Sequence, residues 1–215
     1  MRQQGVGRVA VQGIGILGAG RMGRGLGLAW ARAGRRVVLG SRDPEGLARG
    51  WTGERPPSLG FARHADAVRE PVVVLATPFR ATQELVRAHR EALLGKVVVD
   101  ITNPFGAAPP GVAGVAVHRE ALGGQARWVA AFKTNFWNTI GAPDGIRRQC
   151  FVATDDPEAR AVADELARLA GYEPVDAGGL GNALALDLMV PLMIELDGRY
   201  GGGARSSWRF EVPGR

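Results

Sequence analysis

Val9-Ala10-Val11-Gln12-Gly13-Ile14-Gly15-Ile16-Leu17-Gly18-Ala19-Gly20-Arg21-Met22-Gly23 is the stretch that decides the fold. An apolar, partly β-branched run leads directly into Gly-x-Gly-x-x-Gly, and the residues that follow, to about 33, read as a helix. Strand, glycine turn and helix start in that order form the phosphate-binding corner of a βαβ unit. Gly18 allows the tight turn. Gly20 lets a pyrophosphate approach the backbone, and Gly23 lets the helix pack closely on the strand. The free N–H groups at the helix start then suit a diphosphate. Arg21 and Met22, inside the loop, are expected beside the nucleotide.

Outward from that corner, short apolar runs alternate with helix-like segments, the pattern of a parallel sheet covered by helices. Strands are expected at 9–17, 35–40, 71–76, 97–101, 128–132, 150–154 and 172–176. Helices are expected at 22–33, 44–49, 64–70, 79–93, 118–122, 158–170 and 183–196, the last kinked by Pro191. The fold class is therefore α/β: a Rossmann-like, doubly wound, mostly parallel sheet with a C-terminal helix and a short tail. The nucleotide-binding domain is expected at 8–200 and the tail at 201–215. Trp208 and Phe210 in that glycine-rich tail suggest that it docks on the body or on a partner subunit.

The end of the second strand selects the nucleotide. An acidic residue about 20 positions beyond the loop holds the ribose 2′-hydroxyl in NAD-preferring proteins. Here the position carries Ser41-Arg42. A hydroxyl and a guanidinium bind a 2′-phosphate, where a carboxylate would repel it. A charge-assisted hydrogen bond contributes about 1.5–3 kcal/mol, so NADP(H) is expected over NAD(H). Arg21 is a second candidate cation, and Asp43 reads as the cap of the next helix. Two further loops fall at carboxyl ends of strands, where ligands bind in such sheets. Thr77-Pro78-Phe79 is one, and Thr102-Asn103-Pro104-Phe105 the other. Of these, Thr77, Pro78, Phe79, Asn103 and Pro104 are expected to touch the cofactor; their alternative reading is ordinary strand-to-helix turns.

The 215 residues carry a net charge of +6, and only Lys96 and Lys133 are lysines. The arginines are scattered, with no basic run longer than two, as expected of a GC-rich genome rather than a nucleic-acid surface. Some of the charge can attract an anionic ligand such as NADP(H). A single cysteine, Cys150, favours a reducing compartment. No apolar run is long enough for a membrane span, and residues 1–12 lack a signal-peptide core. A cytoplasmic location is expected. His64, His89 and His118 lack ligand spacing, so no metal site is expected.

The same residues resemble the NADP oxidoreductase, coenzyme F420-dependent, family. The matching stretches are 14–23, the second strand through Ser41-Arg42, 76–79, 100–104, Ala131-Phe132 and 181–187. The resemblance implies hydride transfer between NADP(H) and coenzyme F420 as co-substrate, with the nicotinamide near Thr77, Pro78 and Asn103. It also implies a homodimer. One departure stands out: the family often has Lys-Ala-Phe-Asn-Thr where this chain has Ala130-Ala131-Phe132-Lys133-Thr134. Related sequences with this fold perform other reductions. The alternatives are a reductase of a small imine or carbonyl, which needs a proton donor, and a non-catalytic NADP(H)-binding protein. Lys133 and His118 are the candidate donors.

Overall fold

The computed structural model describes residues 11–123 and 126–213. Its central strands are the apolar runs. β1 (Gly13–Leu17), β4 (Val72–Leu75) and β5 (Val97–Asp100) are buried along their whole length, as strands covered on both faces must be. With β2 (Arg36–Ser41), β3 (Leu59–Arg63) and β6 (Arg127–Ala130) they form a parallel sheet in the order β3-β2-β1-β4-β5-β6. This is the doubly wound Rossmann order, whose direction reverses between β1 and β4. β7 (Gln149–Val152) and β8 (Glu173–Asp176) form a parallel pair joined to β6 by an antiparallel bridge between Ala130 and Ala153.

Helices cover both faces. α1 (Arg21–Arg32) and α7 (Pro157–Leu169) bury Leu26, Trp30 and Leu166 on one. The Trp30 indole N–H donates to the Leu166 carbonyl at 2.9 Å, so the one polar atom of that ring is satisfied. On the other face α4 (Phe79–Ala88), α5 (Arg90–Leu93), α6 (Gly114–Leu122) and α8 (Ala183–Arg199) bury Val86, Leu93, Leu122 and Leu186. α2 (Pro44–Arg49) and α3 (His64–Ala67) flank β3.

Two local expectations need correction. The proline- and glycine-rich stretch before residue 60 ends in a strand, β3, which was not expected there. Its registry with β2, Val37 opposite Leu59 through Ser41 opposite Arg63, makes it a strand; it lies at the sheet edge, and of its residues only Leu59 is fully buried. The single helix expected at 79–93 is two, broken at His89 (φ −114°). The first-strand residues Val9 and Ala10 lie outside the described residues. The tail runs back over the body: Asp197 accepts from the Ala204, Arg205 and Ser206 amides, and Gln149 exchanges hydrogen bonds with the Phe210 backbone.

Candidate functional site

The glycine loop sits at the switch point between β1 and β4. Gly18 has φ +126°, and a Cβ there would lie 2.6 Å from the Ala76 carbonyl carbon. A Cβ on Gly23 would lie 2.0 Å from the Gly18 carbonyl oxygen, so helix and loop touch through it. At Gly20, by contrast, a Cβ would meet nothing within 4 Å. That open space fronts the N-terminus of α1, which has no side-chain cap and no acidic residue in its first turn. An uncapped helix start beside open space has the donors and partial positive charge a diphosphate needs. The residues present fit a dinucleotide.

Two clefts open on either side of Gly20 and Pro78. The first, of about 380 Å³, is lined by Gly18, Arg24, Ser41, Arg42, Asp43 and His64 among others. Ser41 Oγ accepts from the Asp43 amide at 3.1 Å, and Asp43 Oδ1 accepts from the Gly46 amide at 2.8 Å. The Asp43 carboxylate is thus engaged as the cap of α2. Arg42 is exposed and, among the described residues, has no carboxylate partner. Burial, followed by the His89 charge, pushes His64 below the usual imidazole value despite a hydrogen bond with Gly40.

Arg24 and His64 are lining residues that sequence reasoning missed. Arg24 lies one turn beyond Gly20, and its Nε donates to the Ala19 carbonyl at 2.8 Å; that i, i+4 spacing from the loop was a usable signal. His64 required β3 to be recognised first. Arg21 does not join Ser41 and Arg42. It lines the second cleft, with its guanidinium 5.1 Å from the centre of the Trp137 ring.

The second cleft, of about 620 Å³, brings Arg21, Met22, Thr77, Pro78, Asn103 and Pro104 together with Phe79 and Phe105. Thr77 and Thr82 share a hydroxyl hydrogen bond of 2.6 Å. Asn103 donates through Nδ2 to the Lys133 carbonyl at 3.2 Å. Its Oδ1, and Oγ1 of the 5 % exposed Thr102, are buried without a hydrogen-bond partner among the described residues. Phe105 holds φ 45°, a left-handed conformation that costs a non-glycine residue about 1–2 kcal/mol.

Lys133 and His118 are in neither cleft lining. Both side chains are fully buried beneath the loops. His118 Nδ1 lies 2.8 Å from Asp100 Oδ2 and Nε2 3.2 Å from the Phe79 carbonyl oxygen, and the imidazole packs on the Phe79 ring at 4.7 Å. Asp100 Oδ1 accepts from the Thr102 amide at 2.8 Å. Burial opposes the Asp100 charge, but the Lys133 ammonium and His118 outweigh it and hold the carboxyl at about 2. Lys133 Nζ donates to the Thr102 carbonyl at 2.5 Å and lies 2.8 Å from Asp187 Oδ1, off-line for a hydrogen bond, so that contact is coulombic. Asp187 Oδ2 accepts from the Gly114 amide at 2.7 Å.

This geometry corrects the expectation that either side chain faces a substrate as a proton donor. Phe132, left-handed at φ 56°, precedes Lys133 at the point where the chain leaves β6. Ala130, where the resemblance places a lysine, pairs in register with Asp100; Lys133 supplies a cation to that carboxylate from three residues further on. The two pairs tie together the loops after β4 and β5 and the starts of α6 and α8.

Among the described residues no group of three or more His, Cys, Asp and Glu could hold a metal ion, and no helix is long and apolar enough to cross a membrane. Residues 13–104 match the family described as NADP oxidoreductase, coenzyme F420-dependent. The chain is 32% identical over 211 residues to the F420-dependent NADP reductase of Methanothermobacter thermautotrophicus, covering 88% of this chain and 91% of that one. A solved structure from Arthrobacter sp. FB24, provisionally named an F420-dependent NADP reductase, superposes with a TM-score of 0.80 at 28% identity, over 93% of this chain and 99% of that one. An imine reductase of Myxococcus stipitatus gives a TM-score of 0.65 at 20% identity, over 89% and 63%, a similarity of fold alone.

Proposed function

The chain belongs to the NADP oxidoreductase, coenzyme F420-dependent, family, and on that premise we propose that it passes a hydride between NADP(H) and coenzyme F420. The observation that carries the reading is the pair of clefts meeting at Gly20 and Pro78. One is polar and basic, suited to the 2′-phosphate end of the nucleotide; the other has aromatic and proline walls, suited to two stacked rings. NADPH supplies the hydride, and the oxidised deazaflavin takes it up with one solvent proton. The protein aligns the rings and excludes water. Ser41 and Arg42, with Arg24, hold the 2′-phosphate. Gly18, Gly20 and Gly23 shape the pyrophosphate cradle. Met22, Thr77, Pro78, Phe79, Asn103 and Pro104 face the nicotinamide side. Lys133 and His118 position these loops and exchange no proton with substrate. In this reading the nucleotide-binding domain spans 8–200 and the tail 201–215.

The functional unit is a homodimer in this reading, formed through α8. That helix exposes Leu188 (66 %) and Leu192 (48 %) on the side opposite its buried Leu186, Val190 and Met193. An uncovered apolar helix face of this kind marks an association surface. Light scattering behind size exclusion checks it: Leu188→Arg/Leu192→Arg yields monomers if the face is the interface, and an unchanged mass rejects it. The activity itself is tested by mixing purified protein with NADPH and F420. Coupled loss of nicotinamide and deazaflavin absorbance is expected. No reaction with either partner in excess, in either direction, rejects the reading.

A further inference from the structure

The rim of the second cleft carries a costly feature that ring alignment alone leaves unused. Phe105 (φ 45°) and Gly106 (φ 83°) are successive left-handed residues, and the Ala107 amide donates to the Pro104 carbonyl at 2.8 Å. Two central residues with positive φ are the mark of a type I′ turn, which takes Asn, Asp or Gly at its first central place. An aromatic residue there works against its own Cβ. Phe105 gains no burial in exchange, since it is 63% exposed. A strained residue with an idle side chain beside a cleft points to a ligand that the ring contacts.

The same cleft is lined by Arg21 and Arg80, both exposed, and by no acidic residue. Among the described residues neither arginine has a carboxylate partner. Arg21 is placed over Trp137 at the nucleotide loop. Arg80 lines the same cleft from the first turn of α4, which holds no acid.

We propose that Phe105 and Arg80 form an acceptor subsite for a flat heteroaromatic ring that carries an anionic chain, the ring stacking on Phe105 and the chain meeting Arg80. The assignment rests on the deazaflavin reading above: the F420 ring continues through a ribityl group into a phosphate and glutamates. Aromatic pairing of this type is worth about three- to tenfold in affinity, and an exposed ion pair about two- to fivefold.

The test is fluorescence titration of wild type, Phe105→Asn and Arg80→Gln with two ligands: F420, and the same deazaflavin ending at its ribityl alcohol, without phosphate or glutamate. Urea denaturation of each variant runs in parallel. Phe105→Asn is expected to weaken both ligands about three- to tenfold while raising the unfolding midpoint, because Asn suits the turn. Arg80→Gln is expected to weaken F420 alone, about two- to fivefold, with the difference vanishing in high salt. If both ligands bind wild type and both variants bind them equally well, the subsite is wrong and the acceptor reading stands. If neither deazaflavin binds wild type, the acceptor reading falls and the subsite with it.

Discussion

Replacing Lys133 by Met tests whether this lysine is a structural cation or a chemical one. The ammonium is fully buried, 2.8 Å from Asp187 and hydrogen-bonded to the Thr102 carbonyl. Its removal leaves the Asp187 carboxylate buried with the Gly114 amide as its donor. Removing one partner of a buried pair costs about 3–5 kcal/mol, a large share of the roughly 5–15 kcal/mol that holds a domain together. Asp187→Leu is expected to cost a similar amount. The double variant Lys133→Met/Asp187→Leu removes both charges at once. It leaves the Gly114 N–H and the Thr102 carbonyl without their partners, at about 1–3 kcal/mol each. It also leaves Asp100 with His118 and the Thr102 amide as its remaining partners, a loss that the Lys133 single variant shares. The two single losses are therefore not additive, and a coupling of about 2 kcal/mol or more is expected. Urea denaturation followed by tryptophan fluorescence measures all four proteins. Singles that cost less than about 1 kcal/mol and simply add, together with lost turnover in Lys133→Met, would refute the structural role and return Lys133 to the chemistry.

Other expectations follow from the same geometry. Arg42→Ala should weaken NADPH binding about tenfold and leave NADH binding unchanged, the lower end of a charge-assisted bond because the side chain is exposed; equal losses in calorimetry would remove its 2′-phosphate role. Gly20→Ala should keep its unfolding midpoint yet lose affinity for both nucleotides, since the new Cβ enters only the open space at the loop. Gly23→Ala should instead lose about 1–3 kcal/mol of stability, because its Cβ meets the Gly18 carbonyl; matching behaviour of the two variants would contradict the division of roles. Asp100 titrates near 2 when folded and near 3.9 when unfolded. A depressed pKa stabilises the fold above the unfolded value, so about 2–3 kcal/mol is present above about pH 4 and lost as pH falls toward 2. Asp100→Asn should flatten that limb of the stability–pH profile, and an unchanged limb would show that other carboxylates control it.

The features legible in the chain were those that depend on local order. β1, the glycine loop and α1 are contiguous, and each glycine is dictated by backbone geometry that neighbouring residues reveal. The valine runs of β4 and β5 announce strands buried on both faces. β3 was not legible, because Leu59-Gly60-Phe61-Ala62-Arg63 has no β-branched residue and owes its conformation to pairing with β2. His64 was missed as a cleft residue for the same reason. Lys133 and His118 show the limit most clearly. Their partners Asp187 and Asp100 are distant in the chain or on another element, so nothing near them in sequence distinguishes a buried tie from an exposed donor. Phe105 stands in the sequence as one more residue of a strand-end loop, since its strain is a property of the turn and not of the residue type.

The most direct test of the account is isotope transfer. NADPH deuterated at the transferring position of its nicotinamide is incubated with the protein and F420, and the reduced deazaflavin is examined by NMR and mass spectrometry. One deuterium is expected to move from the nicotinamide to the deazaflavin ring carbon without exchange with water. Reduced F420 that carries only solvent hydrogen at that carbon, or oxidation of NADPH with no reduced F420 formed, would contradict it.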